Sequence, residues 1–299
     1  MISKRQGVSR RDLMKLAAAG AVAAGSTGMS VKAATVQTTS TAKLFHTVSG
    51  EGRNVMLLHG WTCDSNDWSW QMGALEARYR VVAVDLRGHG ASEVMPSGSY
   101  TPDDYLADVE ALIGSEFEGK PFIVIGHSMG GQIAARLAAK RPELVDAVVS
   151  VDGALGFSDA LTGLFQDVTN NLASGDLGDV IPPLFDAFYD EATPEAFKIW
   201  HARRPLGMAE QAVRESFGPL FLGENQVGVG ANSEAFCRSL TIPFYHMCRS
   251  PDQAEAMKTW FSHPKSKVEL WTGAGHWISQ DRPDDANKAI VDWLETLNA

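Results

Sequence analysis

Six short apolar runs recur along the chain after residue 50, each rich in valine, isoleucine or aromatic residues and edged by glycine or polar positions. They are residues 54–60 (NVMLLHG), 79–90 (YRVVAVDLRGHG), 121–127 (PFIVIGH), 145–153 (VDAVVSVDG), 242–248 (IPFYHMC) and 266–273 (SKVELWTG). Unbroken apolar runs of this length point to strands buried on both faces. Helical patterns lie between them. TPDDYLADVEALIGSEF opens on Thr101 as a cap, Pro102 at the first helical position and Asp103 and Asp104 in the first turn. Leu106, Val109, Leu112 and Ile113 then follow at helical spacing. At the end of the sequence Ala289, Ile290, Trp293, Leu294 and Leu297 fall on one stripe. Strands alternating with helices predict an α/β fold, a mostly parallel sheet flanked by helices.

One interval breaks the rhythm. Residues 155–238 separate two strands and carry Leu161, Leu164, Phe165, Leu184, Phe185, Phe188, Tyr189, Trp200, Phe217 and Phe221. This pattern predicts a helical insertion, a cap over one end of the sheet. The core is then residues 34–154 and 239–299.

The first 33 residues read differently. Arg10-Arg11, flanked by Ser9 and Asp12-Leu13-Met14-Lys15, precedes a weakly apolar Ala/Gly run and Val31-Lys32-Ala33. This is the pattern of a bacterial twin-arginine export signal with a small-residue cleavage site, and it predicts a periplasmic or secreted protein that meets the twin-arginine machinery. The apolar run is too short and glycine-rich to span a bilayer.

Composition adds little until charge is considered. The chain has 299 residues and a formal charge of −10. The signal segment carries six basic residues and one acid, so the remainder falls from −10 to −15. An acidic surface disfavours nucleic acid and anionic lipid and suits a small-molecule substrate. Cys63, Cys237 and Cys248 have no metal-binding spacing and are expected as buried thiols.

The chemistry lies at the strand ends. Gly126-His127-Ser128-Met129-Gly130 fits G-x-S-x-G between a strand and a helix. Small neighbours let the chain turn sharply and expose the central serine, and the helix that follows favours an anion. A serine at its ordinary pKa needs a base. His276, in the loop past the last strand, is at the same end of the sheet as Ser128. His59 and His89 sit in glycine-flanked loops, and His127 is expected to point away from the site. The base needs an acid. Asp252, after the fifth run, gives the chain order Ser128, Asp252, His276 and is the first choice. Asp152, at the end of the fourth run, competes for the role. The Met129 N–H and the Trp61 N–H, the latter in the loop after the first run, are the expected donors to an oxyanion.

The segments LLHGW, VVAVDLRGHGAS, VIGHSMGGQIAARLAAKRPELV and GAGHW, in this order, together resemble the α/β-hydrolase superfamily, and most closely its carboxylesterases and cofactor-free haloperoxidases. The resemblance covers nearly all of the chain beyond the signal. It implies the α/β-hydrolase fold and a cap over the active site, with Asp85 and Arg87 tying a loop. Relatives usually place glycine three residues before the acid at the Asp252 position; here that residue is Arg249. A serine nucleophile argues against dehalogenase and epoxide hydrolase chemistry. The expected activity is hydrolysis of a hydrophobic carboxylic ester or lactone through an acyl-enzyme, with no metal or organic cofactor. A perhydrolase, a C–C bond hydrolase and a slow-turnover ligand sensor are the alternatives.

Overall fold

The computed structural model of the chain describes residues 40–297; the expected export signal at residues 1–33 lies outside them. From Thr41 onward the chain forms one compact unit. Its centre is a seven-stranded sheet: β1 (His46–Ser49), β2 (Asn54–Leu58), β3 (Arg80–Val84), β4 (Phe122–His127), β5 (Val145–Val151), β6 (Phe244–Cys248) and β7 (Lys267–Leu270). Their spatial order is β1-β3-β2-β4-β5-β6-β7, and every neighbouring pair is parallel except β1 with β3. β2 and β4 are buried at every position, as their unbroken apolar runs require.

Four core helices set the layers: α1 (Ser69–Glu76), α2 (Pro102–Glu116), α3 (Met129–Lys140) and, at the far end, α11 (Pro283–Thr296). α2 begins where the sequence places it, with the Thr101 side chain accepting from the Asp104 N–H and Asp104 reaching back to the Thr101 N–H. α11 buries Ile290, Trp293 and Leu294, and Ala289 and Leu297 pack partly against the same cluster. Between β5 and β6 lies the insertion: α4 (Thr162–Ser174), α5 (Leu177–Asp186), α6 (Glu195–Arg203), α7 (Glu210–Ser216) and α8 (Gly230–Ser239). The short helices α9 (Pro251–Met257) and α10 (Ile278–Asp281) follow β6 and β7.

Two differences from the sequence reading have simple causes. β1 has no apolar run to announce it: its two central residues are exposed, and it pairs only along the edge of β3. The run at 79–90 is strand only as far as Val84, because Asp85 turns inward and accepts hydrogen bonds from the N–H groups of Ser65 at 2.7 Å and Ala91 at 2.8 Å. Beyond it Arg87 is fully buried and pairs with Asp108, both nitrogens within 2.6 Å of the carboxylate. Both residues thus hold the loop after β3.

Candidate active site

The parallel strands end side by side, so the residues just past them form one cluster. β4 ends at His127, paired in register with Val151 of β5. One step further on each strand stand Ser128 and Asp152. The Ser128 N–H donates to Val151 O at 3.0 Å, and the Ala154 N–H donates back to Ser128 O at 3.0 Å. The two backbones therefore clasp each other around Asp152.

Ser128 turns the chain from β4 into α3 with φ 50° and ψ −115°. This region is costly for a residue with a side chain, by about 1–3 kcal/mol, and persists only where the surroundings impose it. Here they do. A Cβ on Gly126 would lie 2.2 Å from the Gly130 carbonyl oxygen, and a Cβ on Gly130 would lie 2.2 Å from Leu58 O. Only glycines at both positions allow α3 to start this close to β2 and β4. Among the described residues four that are not glycine have positive φ, and three of them, Thr62, Ser128 and Asp152, belong to this cluster. Strain that concentrates in this way is a mark of functional sites.

His276 arrives from the loop between β7 and α10. Its Nδ1 lies 2.6 Å from Asp152 Oδ2. The same oxygen accepts from Arg249 Nε at 3.0 Å, and Asp152 Oδ1 accepts from the Arg249 N–H at 3.4 Å. Burial opposes the charge of Asp152, but the His276 hydrogen bond and the Arg249 cation outweigh it and hold the carboxyl well below the usual range. Asp152 is thus an ionised, buried carboxylate aimed at an imidazole.

The expectation that Asp252 would meet His276 is corrected by this geometry. Asp252 sits in the first turn of α9, exposed to solvent. The loop after β6 turns its arginine, not its aspartate, toward the cluster. The physical reason is adjacency: β5 lies next to β4, and Asp152 needs only one residue beyond β5 to reach the space beside Ser128.

The loop that carries Trp61 lies against the turn that carries Ser128: a Cβ on Gly60 would lie 3.1 Å from Ser128 Cβ. Leu58 pairs with Gly126, and a Cβ on Gly130 would strike both Leu58 O and His59 O, so the loop after β2 packs on the start of α3. Among the described residues neither the Trp61 N–H nor the Met129 N–H donates to a protein acceptor. Their neighbours are committed: Thr62 N–H donates to His89 Nε2 at 3.3 Å, and Cys63 N–H to Gly60 O at 3.1 Å. His59 Nε2 accepts from Leu86 N–H at 2.9 Å, so His59 and His89 shape the loop.

Aromatic side chains of the insertion surround these groups. The Trp61 ring lies 5.2 Å from that of Phe217 and 5.9 Å from that of Phe185, and its Nε1 donates to Val213 O at 3.0 Å. Phe188 brings its ring within 5.1 Å of His276, while its carbonyl accepts the His276 N–H at 2.7 Å. A cation of the insertion completes the contact: Arg204 Nε donates to Thr62 O at 2.7 Å and its Nη1 to Asp67 at 2.5 Å. Burial works against the charge of Asp67, yet Arg204 brings its carboxyl down to about 2.

His127 is nearer the site than expected. Its ring centre is 4.6 Å from that of His276, and its Nε2–H donates to His276 O at 3.0 Å. Burial, and then the charge of His276, push it down to about 3, so it serves as a neutral donor that fixes the His276 backbone. No local signal identifies His127, Arg204 or Arg249 from sequence, because each acts on residues distant along the chain. The arginine in the position where relatives carry glycine is the one hint.

Comparison with known proteins places the chain in a family. The sequence profile described as "Alpha/beta hydrolase family" matches residues 55–289. The chain is 26% identical over 253 residues to a 2-(acetamidomethylene)succinate hydrolase of Mesorhizobium japonicum, covering 82% of this chain and 89% of that protein. It is 35% identical over 122 residues to a serine hydrolase-like protein of Danio rerio, a match that spans 40% of this chain and only 37% of that protein. In structure it resembles a thermophilic esterase from Thermogutta terrifontis, with a TM-score of 0.74 and 22% identity, covering 86% of this chain and 95% of that one.

Proposed function

Since the chain belongs to the alpha/beta hydrolase family, we propose that it is a serine hydrolase cleaving carboxylic ester or lactone bonds of apolar small molecules. The observation that carries this reading is the His276–Asp152 pair, 2.6 Å apart, beside a serine held in a strained turn. Asp152 fixes the proton on Nδ1 of His276, which leaves Nε2 free to act as a base. Ser128 Oγ attacks the substrate carbonyl and gives its proton to that nitrogen. The oxyanion that forms takes the two uncommitted N–H groups of Trp61 and Met129. His276 then protonates the leaving alcohol. Water, deprotonated by His276, attacks the acyl-enzyme and releases the acid.

The aromatic surroundings support an apolar substrate. Trp61, Phe185, Phe188 and Phe217 put carbon, not charge, around the reacting atoms. In that dry setting the oxyanion donors act more strongly than they would in water. Residues 155–238 serve in this reading as a cap. The twin-arginine pattern at residues 1–33 supports export to the periplasm or beyond, and an exported protein whose N-terminal peptide begins at Met1 would count against it.

The test is a panel of p-nitrophenyl esters of rising chain length beside several lactones. Turnover should favour acyl chains longer than acetyl, and Ser128→Ala should lose on the order of 10³-fold or more in kcat. Equal turnover by the alanine variant would end the serine mechanism.

A further inference from the structure

The loop after β6 withholds its carboxylate from the cluster but delivers a cation. Arg249 Nε and His276 Nδ1 contact the same oxygen, Oδ2 of Asp152, at 3.0 and 2.6 Å. Arg249 Nη1 reaches Phe188 O at 3.4 Å, the carbonyl that also accepts the His276 N–H at 2.7 Å. The guanidinium carbon stands 5.8 Å from the centre of the Phe188 ring. Asp152, Arg249, Phe188 and His276 therefore close a ring of contacts in which each holds the next. Asp152 itself sits at φ 44°, and its N–H donates to Met247 O at 2.7 Å, so the end of β6 presses it from behind.

We propose that Arg249 is a positioning residue that shares the Asp152 carboxylate with His276 and so weakens the hold of that carboxylate on imidazolium. The inference rests on the reading of Ser128, His276 and Asp152 as the reacting set. A carboxylate that faces a single imidazole stabilises imidazolium and delays its deprotonation. A second cation on the same oxygen reduces that pull, and the planar fork of arginine lets it hold a carboxylate and a carbonyl at once. Arg249 is only 27% exposed, so solvent screens it incompletely.

The other titratable groups around the pair do not substitute for it. His127 at the end of β4, His201 from α6 and His246 on β6 are pushed down by burial to about 3, 4 and 4, and stay neutral where an esterase works. Burial pushes Cys248 up to about 12, so it is neutral as well. Asp67 and Asp281 are acids and would act in the opposite sense. Arg249 is the cation in contact with Asp152.

The experiment is the pH profile of kcat/KM for the wild type, Arg249→Met, Arg249→Gln and Arg249→Lys. Both neutral variants should move the acid limb upward by about one pH unit, the size expected for losing one adjacent partly screened charge. The lysine variant should return the limb to within about 0.3 unit of wild type. An arginine that only braces the loop would lower activity without moving the limb. An unmoved limb in either neutral variant, or a lysine variant displaced as far as they are, would overturn the proposal. NMR titration of the His276 ring protons in Ser128→Ala, with and without Arg249→Met, reads the same effect without substrate. An upward shift there, together with no turnover of any ester or lactone by the wild type, would keep the role of Arg249 and discard the esterase reading.

Discussion

Two loops leave neighbouring strands at the same end of the sheet and do opposite things. The loop after β5 gives Asp152, buried and strained at φ 44°, to His276. The loop after β6 carries an aspartate of its own, Asp252, yet leaves it exposed on α9 and turns Arg249 inward. Position along the chain does not decide which acid meets His276. Distance from the nucleophile does: β5 adjoins β4, so one residue past its end is already beside Ser128. The β6 loop is one strand further away, and its contribution is the counter-charge.

Breaking the β5 side should have the largest effect. Asp152→Asn removes the charge that stabilises imidazolium and permits the wrong tautomer of His276. A loss of about 10³–10⁴-fold in kcat is expected by stopped-flow or steady-state ester assay. A loss under tenfold would mean that His276 does not depend on this carboxylate.

A smaller effect separates the two loops through their surroundings. His127 on β4 and His246 on β6 lie buried near Asp152, and burial lowers them to about 3 and 4; His201, on α6 of the insertion, falls to about 4. The unfolded chain binds protons at these groups near pH 6.5, whereas the folded chain does not until far lower pH. Stability from them is therefore complete above about pH 6.5 and declines as pH falls toward 4, each group costing up to about 1.4 kcal/mol per pH unit. Asp67, lowered to about 2, loses its stabilisation in the same direction on acidification, but only below about pH 3.9, outside that window. Thermal melts from pH 8 to 4.5 should be flat at first and then fall. A melting temperature that rises on acidification would contradict the neutral, buried state of these histidines. The smallest effect belongs to the β6 side: Asp252→Asn should change kcat/KM by less than about twofold and stability by no more than about 0.5 kcal/mol, as an exposed residue would.

The sheet was largely readable in the sequence because buried parallel strands leave continuous apolar runs. The placement of Ser128, His276, Trp61 and Met129 at one end of the sheet follows for a related reason, since each stands within three residues of the end of such a run and the G-x-S-x-G turn has a steric logic contained in five residues. Asp152 and Asp252 could not be separated in that way. Both follow an apolar run, and the choice depends on strand order, register and the φ of one residue, none of which a linear pattern encodes. β1 escaped notice because half of it is exposed at the edge. Arg249, Arg204 and His127 act through partners 61 to 149 residues away. Charge type alone cannot announce such contacts.

The most direct measurement is the rate at which a fluorophosphonate labels the protein, followed by peptide mapping, in the wild type, Asp152→Asn and Asp252→Asn. This reaction requires an activated serine and its oxyanion donors but no knowledge of the natural substrate. Activation through Asp152 predicts labelling on Ser128 in the wild type, an unchanged rate in Asp252→Asn, and a rate at least about a hundredfold lower in Asp152→Asn. Full-rate labelling of Asp152→Asn together with slow labelling of Asp252→Asn would contradict it.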